Sequence, residues 1–385
     1  MAETRPLRVL QVLPALNEGG VEQGTLEIAQ ALIAQGHTAI VASSGGRLVS
    51  KLQEIGAIHI ELPLHSKNPF SIWRNAGTLM RLIREQQIDI VHTRSRAPAW
   101  SAWLACQRTD TPFITTFHGA YGHQNRLKRC YNSVMCRGTP IIAVSQFIAA
   151  HIQQVYGIAA ERITVIPRGV DAEKFAPEHI DPSRIDSLRQ HWQLAPQSDK
   201  IVLMLPGRLT RIKGHALLLD ALALTPELPL HCLIVGSDHD SPYTLELKAR
   251  VAELKLSDRI QFTGHCADMA AAYQLADVVI SATIKPESFG RTLVEAQAAG
   301  RMVIAPKHGA SAEVVADQEF LFEPGNVTAL AQTLRHVCAL DADTRRARTK
   351  AARDFVQTHY ALRQMCDKTL AVYQHQAQLQ REQHG

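Results

Sequence analysis

Short apolar runs of strand length recur along this chain, with longer helix-patterned stretches between them. In the first half they are LRVLQVL (7–13), TAIVAS (38–43), IDIVHT (88–93), PFITTF (112–117), PIIAVS (140–145) and ITVIP (163–167). In the second half they are KIVLMLPG (200–207), HCLIVG (231–236), RIQFTG (259–264), DVVISA (277–282) and RMVIAP (301–306). A strand that is apolar on both faces must be covered on both faces. The runs therefore predict parallel strands with helices on either side. The alternation pauses between about 168 and 199, a polar segment that reads as a linker plus a short helix, and a fresh strand opens at Lys200. The expected fold class is α/β, with two doubly wound domains over 1–170 and, counting the linker, 171–358. The last stretch, 359–385, is expected to be a polar, Gln-containing helix, free to pack back on the first domain.

A chain of 385 residues suits two such cores. No apolar run approaches the roughly 20 residues needed to cross a bilayer. The first run is short and is broken by Pro14, which reads as a strand and not as a secretory leader, so a cytoplasmic location is expected. The seven cysteines include no CxxC pair, and an odd number does not make a disulfide framework. The net charge of +5 fits an anionic ligand or surface and is too mild to point to nucleic acid.

In parallel sheets of this kind ligands bind beyond the carboxyl ends of the strands, and two facing domains make a cleft there. The first strand leads to Gly19 and Gly20 before a helix. Adjacent glycines let a backbone approach an anion at helix N–H groups, although such a pair also serves as a plain tight turn. The strand 112–117 ends at His118 and Gly119. The strand at 200–206 leads to Arg208 and Lys213 around a turn, and two cations there suit a diphosphate. That turn has no Walker A spacing.

The densest cluster is KPESFGRTLVEAQAAGRMVIAPKHGASAEVV, 285–315. Glu287 is expected on a loop and Glu295 about one turn into the helix that follows. The N–H groups of Phe289 to Leu293 lie between them as an anion site. Carboxylates accept bidentate hydrogen bonds from vicinal hydroxyls, which sugars and ribose offer. A phosphate on the amides with carboxylates on diols describes a nucleotide-sugar. His308, Gly309 and Ala310 form a further small-residue turn before Glu313.

With these residues collected, the chain resembles the retaining glycosyltransferases of family four, which have the GT-B fold. The resemblance covers nearly the whole chain. Its most specific part is the E-x7-E signature Glu287-SFGRTLV-Glu295. GRL…KG at Gly207–Gly214 and the Gly19–Gly20 turn stand in the family's order. PRGVD at 167–171 looks like the family's NGVD with Arg168 in the Asn position. VIAPKHGASAEVV resembles VATDxGGxxEVV with Lys307 in the Asp position and Ala310 in the second Gly position.

The resemblance implies a donor site of Gly19, Gly20, Gly207, Arg208, Lys213, Gly264, Glu287, Ser288, Phe289, Gly290, Arg291, Thr292, Leu293 and Glu295. Glu295 would hold ribose, Glu287 the donor sugar, and Arg208 and Lys213 the diphosphate. His118 would join Glu287, Arg208 and Lys213 in catalysis and meet the acceptor with Arg94 and Arg96. No cofactor is implied, the nucleotide-sugar being a substrate, and no metal, since no DxD stands at a strand end. The donor would be UDP- or GDP-linked and the acceptor a glycan or glycolipid, as in the lipopolysaccharide branch of the family. The basic and aromatic segments 67–75, 93–100 and 125–138 agree with that branch, and 125–138 is expected either to touch an anionic inner membrane surface or to be a solvated helix face. Two other readings compete: a nucleotide-sugar epimerase on the same fold, and a non-catalytic nucleotide-sugar-binding protein.

Overall fold

The computed structural model describes residues 5–17, 19–122, 125–194, 200–237 and 241–384. It divides into two units, Met1–Gly169 with Leu362–Gly385, and Val170–Ala361. Residues 195–199 of the linker lie outside the described residues.

The first unit carries a seven-stranded parallel sheet. Its strands are β1 (Arg8–Val12), β2 (Thr38–Ser43), β3 (Ile58–Glu61), β4 (Ile90–Thr93), β5 (Phe113–Phe117), β6 (Ile141–Ala143) and β7 (Ile163–Val165). Their order is β3-β2-β1-β4-β5-β6-β7. Alternate side chains feed two layers, as a period of two requires. Leu10 and Val12 pack with Phe117 and Ile148 on one face, and Val9 and Leu13 with Ile28 and Leu32 on the other. The last helix, Leu362–His384, belongs to this unit and completes the second layer with Leu370, Tyr373 and Ala377. Burying each such aliphatic side chain contributes about 1.5–3 kcal/mol.

The second unit carries β8 (Ile201–Pro206), β9 (Leu230–Val235), β10 (Ile260–Gly264), β11 (Val278–Ile280), β12 (Met302–Pro306) and β13 (Leu321–Phe322), in the order β10-β9-β8-β11-β12-β13. Two strands, β3 and β13, have no counterpart among the apolar runs. β3 (IHIE) is an edge strand with partly exposed residues, and β13 is an edge strand of two residues, too short to show a period.

Each sheet has one point where the strand order reverses, between β1 and β4 in the first unit and between β8 and β11 in the second. Loops leaving the two strands at such a point diverge to opposite sides and open a crevice at their carboxyl ends. Gly19, Gly20 and Arg94 stand at the first point, and Arg208, Lys213 and Glu287 at the second.

Candidate functional site

In the second unit, three loops are stitched together beyond β8, β11 and β12. The first follows β8 through Gly207 into a 3-10 turn, Arg211–Lys213, and reaches Gly214 at φ 70°. A Cβ on Gly214 would lie 1.8 Å from the Ala282 carbonyl oxygen, so only glycine lets this turn close on the loop after β11. Ile284 N–H (2.9 Å) and Thr283 Oγ1 (3.0 Å) both donate to the Ile212 carbonyl and fix that contact.

The third loop fixes Glu287. Ala310 N–H donates to the Glu287 carbonyl at 2.9 Å, and a Cβ on Gly309 would stand 2.6 Å from that same oxygen. The small residues of the KHGA turn thus hold the Glu287 backbone. Its side chain meets Lys213, with Nζ 2.5 Å from Oε1 and side-chain exposures of 28% and 17%. Lys213, expected at a phosphate, and Glu287, expected at a sugar, are paired with each other.

Gly290, at φ 88°, caps the helix Arg291–Ala298. Leu293 N–H donates to the Gly290 carbonyl at 3.0 Å, and the Leu293 side chain is fully buried. The Leu293 amide, one of those expected at the anion site, is thus spent on the first turn of the helix. Phe289 contributes its ring to the core, edge-on to Tyr360. Glu295 lies inside the helix, only 9% exposed, and accepts from Arg291 Nε (2.7 Å) and Tyr273 Oη (3.1 Å). Burial, then the Glu295 carboxylate, holds the Tyr273 hydroxyl well above its ordinary pKa, so it stays a donor. Arg208 is exposed just past β8, and Gly264 ends β10 at φ 75°. Sequence reasoning missed Tyr273; only its place in the fold reveals it.

In the first unit the helix Gly20–Ala34 starts behind Gly19 with no side-chain cap. Arg168 donates to the Gly20 carbonyl, and a Cβ on Gly20 would meet its guanidinium 2.3 Å away. The arginine that replaces the family's Asn thus occupies the space beside the glycine pair. Arg94 leaves β4 with 5% exposure; its Nε donates to Gln11 Oε1 at 2.8 Å, and its buried Nη2 has no hydrogen-bond partner. Both ring nitrogens of His118 are buried without partners. Burial first, then Arg168 and Arg94, push its pKa well below the usual value, so it is a neutral imidazole. His92, fully buried, bridges Tyr373 Oη (2.5 Å) and Thr116 Oγ1 (2.7 Å) and ties the last helix to β4 and β5. Arg168 and His92 were not singled out for this site; a separation of 148 positions between Gly20 and Arg168 leaves no local pattern to read.

Arg96 opens the helix Arg96–Thr109 rather than joining Arg94. Its Nη1 donates to Asn132 Oδ1 at 3.0 Å, and its guanidinium lies 4.3 Å from the Tyr121 ring centre. The segment 125–138 differs from the expected basic-apolar face. Arg126–Asn132 is helical, but Ser133–Arg137 turns inward as a 3-10 helix. Val134 and Met135 are fully buried, Tyr131 is half-buried, and Arg137 stacks on Trp103 at 4.3 Å. Among the apolar residues named there, Leu127 stays exposed, at 79%. No helix of the described residues is long and apolar enough to cross a membrane.

Comparison with known proteins places this geometry. Residues 18–174 match the family model described as Glycosyltransferase Family 4, and residues 186–355 match Glycosyl transferases group 1. The crystal structure of a glycosyltransferase from Rickettsia africae is 39% identical, with TM-score 0.89, covering 97% of this chain and 99% of that one. An Anabaena protein, HepE, solved with UDP and glucose, shares the fold at TM-score 0.81 and 23% identity over 95% of this chain and 98% of its own. The D-inositol 3-phosphate glycosyltransferase of Jonesia denitrificans is 30% identical over 251 residues, 60% of this chain and 58% of that protein's length. With both halves matched in order and a 39%-identical relative covered end to end, the chain belongs to glycosyltransferase family 4.

Proposed function

We propose that this chain is a retaining glycosyltransferase that moves a sugar from a UDP- or GDP-linked donor to a glycan or glycolipid acceptor. The observation that carries the reading is Glu287, with its backbone pinned by Gly309 and Ala310 and its carboxylate set on Lys213. A donor sugar hydroxyl on Glu287 stands within reach of the cation that would meet the departing diphosphate. When the bond from the anomeric carbon to the phosphate oxygen breaks, negative charge grows on the diphosphate. Arg208, Lys213 and the amides ahead of the helix Arg291–Ala298 are the groups set to stabilise it. Glu295 takes the ribose. His118, neutral and partnerless, offers a hydrogen bond in the first unit, where Arg94 and Arg96 serve the acceptor.

The name of the Jonesia relative carries a phosphorylated acceptor, and HepE was solved with UDP, so UDP leads the donor candidates. Phe70 (68%), Trp73 (65%) and Leu127 (79%) are exposed beside Lys67, Arg74, Arg126, Lys128 and Arg129. This supports peripheral contact with an anionic inner membrane face and an acceptor in lipopolysaccharide or other surface-polysaccharide synthesis.

The test is incubation with UDP- and GDP-sugars and an acceptor panel, reading nucleoside diphosphate release and the anomeric configuration of the product by NMR. Product with the donor's configuration is expected. An isomerised sugar formed without acceptor would mean an epimerase, and tight donor binding without turnover a binding protein. Activity is expected to survive EDTA, and a loss restored only by Mg2+ or Mn2+ would overturn metal independence.

A further inference from the structure

The first unit contains a cavity of about 720 Å3 that none of the donor residues lines. Its walls come from four places in the sequence: Pro14, His65 and Lys67, the start of the helix Arg96–Thr109, and Lys128, Tyr131 and Asn132. We propose that this cavity reads a phosphomonoester on the acceptor, a proposal that rests on the transferase reading above and names its substrate class.

The lining carries Lys67, Arg96 and Lys128 and, among the described residues, no carboxylate. Three cations with no anion facing them are unfavourable unless a ligand supplies the charge. A phosphomonoester brings about −1.5 to −2 at neutral pH, whereas a carboxylate brings one charge and leaves the excess unanswered. The positive end of a 14-residue helix adds to the field, and its cap residue Ser95 makes no side-chain cap bond.

The site is built around Arg96. Asn132, 2% exposed, accepts from Arg96 Nη1 at 3.0 Å and donates through Nδ2 to the Gly122 carbonyl at 3.0 Å. The Tyr121 ring supports the guanidinium from its face. One edge of Arg96 is thereby fixed, and Nε and Nη2 remain for a bidentate hold on phosphate oxygens. Tyr131 adds a hydroxyl that has no hydrogen-bond partner. Lys67 and Lys128 are exposed and sit on separate elements, so they supply charge without a fixed geometry.

The experiment uses the full chain and calorimetry with inorganic phosphate, a panel of hexose 1- and 6-phosphates, the matching neutral hexoses and glucuronate. At least one phosphomonoester should bind tenfold or more tightly than its neutral partner and than glucuronate. The double variant Lys67→Ala/Lys128→Ala, at two exposed positions, should weaken it at least tenfold. Arg96→Lys should weaken it while thermal stability holds. Equal affinity for neutral and phosphorylated sugars, equal affinity for glucuronate, or no phosphate binding at 10 mM in the assay, taken as about the weakest measurable range, would overturn the proposal. Vesicles containing phosphatidic acid or, as the phosphodiester control, phosphatidylglycerol separate the sources. Preference for phosphatidic acid that the double variant abolishes assigns a lipid-borne phosphate, and soluble binding alone assigns a soluble acceptor. UDP and GDP are titrated separately: if they fail to bind while the phosphomonoester binds, the donor reading falls and the cavity's ligand class stands.

Discussion

In the second unit Lys213 rides on a short turn, partly exposed, and is held by a carboxylate from another loop. In the first unit Arg94 comes straight off β4, 5% exposed, and is held by a neutral amide, Gln11. Both stand where their sheet reverses its strand order. The second unit gains its precision from loops locked backbone to backbone, with glycine wherever a Cβ would collide. The first gains it from side chains of distant segments, Gln11, Arg94, His118 and Arg168, converging through the fold. A loop-built site of the first kind pairs its charges before ligand arrives, so ligand must displace or share a partner. In the other kind, buried nitrogens on Arg94 and His118 lie without partners. That is a costly arrangement for a free protein and one that a ligand's oxygens would relieve.

Glycine substitutions break this comparison most strongly. Gly214→Ala puts a methyl 1.8 Å from the Ala282 carbonyl oxygen at φ 70°. Neither neighbour is a movable side-chain end, so a loss of about 4 kcal/mol or more is expected, in the range of the most damaging single changes. Gly264→Ala has φ 75° and nothing within 4 Å, so only the left-handed backbone cost of about 1–2 kcal/mol applies. Gly20→Ala meets the end of the Arg168 side chain, which can swing away, and should cost less than Gly214→Ala despite a contact of 2.3 Å. Denaturant midpoints for the three variants decide the order. Equal losses at Gly20 and Gly214 would erase the distinction between side-chain and backbone packing.

The same contrast explains what could be read before the structure. The second-unit loops are short and marked by glycines and paired charges, so Glu287, Lys213 and Gly309 are local signals. The interior strands of both sheets show as apolar runs because both faces are covered. β3 escapes because Ile58 is 44% exposed at a sheet edge, and β13 because two residues carry no period. Arg168 against Gly20, and Tyr373 on His92 across 281 residues, exist only once the chain has folded. The inward turn of 133–137 was also invisible, since Val134 and Met135 beside arginines look alike on a membrane-facing helix and under a stacked Arg137.

Removing the two cations after β8 is the next test. Arg208→Ala and Lys213→Ala should each lower kcat/KM by about 10²–10³, or ~3–4 kcal/mol of transition-state stabilisation, as for loss of an oxyanion donor. The ion pair sharpens this. Lys213→Ala combined with Glu287→Gln should be non-additive, because the residues touch at 2.5 Å, whereas Arg208→Ala with Glu287→Gln should add more nearly. Near wild-type kcat/KM in both single variants would remove the cations from the chemistry.

Acid should weaken both units by the same physics. Burial, only partly offset by the Thr210 backbone, lowers His215 in the second unit to a pKa of about 4, and burial drives His92 in the first well below its usual range. An unfolded chain takes up these protons near pH 6.5 and the native one does not. Stability is therefore complete above about pH 6.5 and falls as the pH drops toward the folded pKa. For His215 the fall reaches about 3 kcal/mol at pH 4, from ~1.4 kcal/mol per unit. Native-state hydrogen exchange resolves the two units. His215→Leu should flatten the acid dependence of amides in β8 and β9 and leave that of β1 and β4 steep. A slope unchanged by this variant in β8 and β9 would place the acid sensitivity elsewhere.

The smallest effects separate the two glutamates. Glu295 accepts from both Arg291 and Tyr273, so in Glu295→Gln one oxygen keeps Arg291, and the new amide must face a tyrosine hydroxyl that turns to accept. The hydrogen-bond count survives while the charged acceptor for a ribose diol is lost. Affinity for the free nucleoside diphosphate should fall about tenfold, ~1.5 kcal/mol, the net worth of one hydrogen bond to a charged group at the low end. Glu287→Gln does the opposite to its neighbour. It releases Lys213 Nζ from a carboxylate 2.5 Å away and leaves that cation free to turn to the diphosphate. Affinity for the nucleoside diphosphate should then hold or rise, while kcat falls because the sugar contact made in the transition state is gone. Calorimetry with the nucleoside diphosphate alone reads the sign. Equal losses in the two variants would mean that both carboxylates touch the nucleotide, and the division of labour between loop and helix would have to be redrawn.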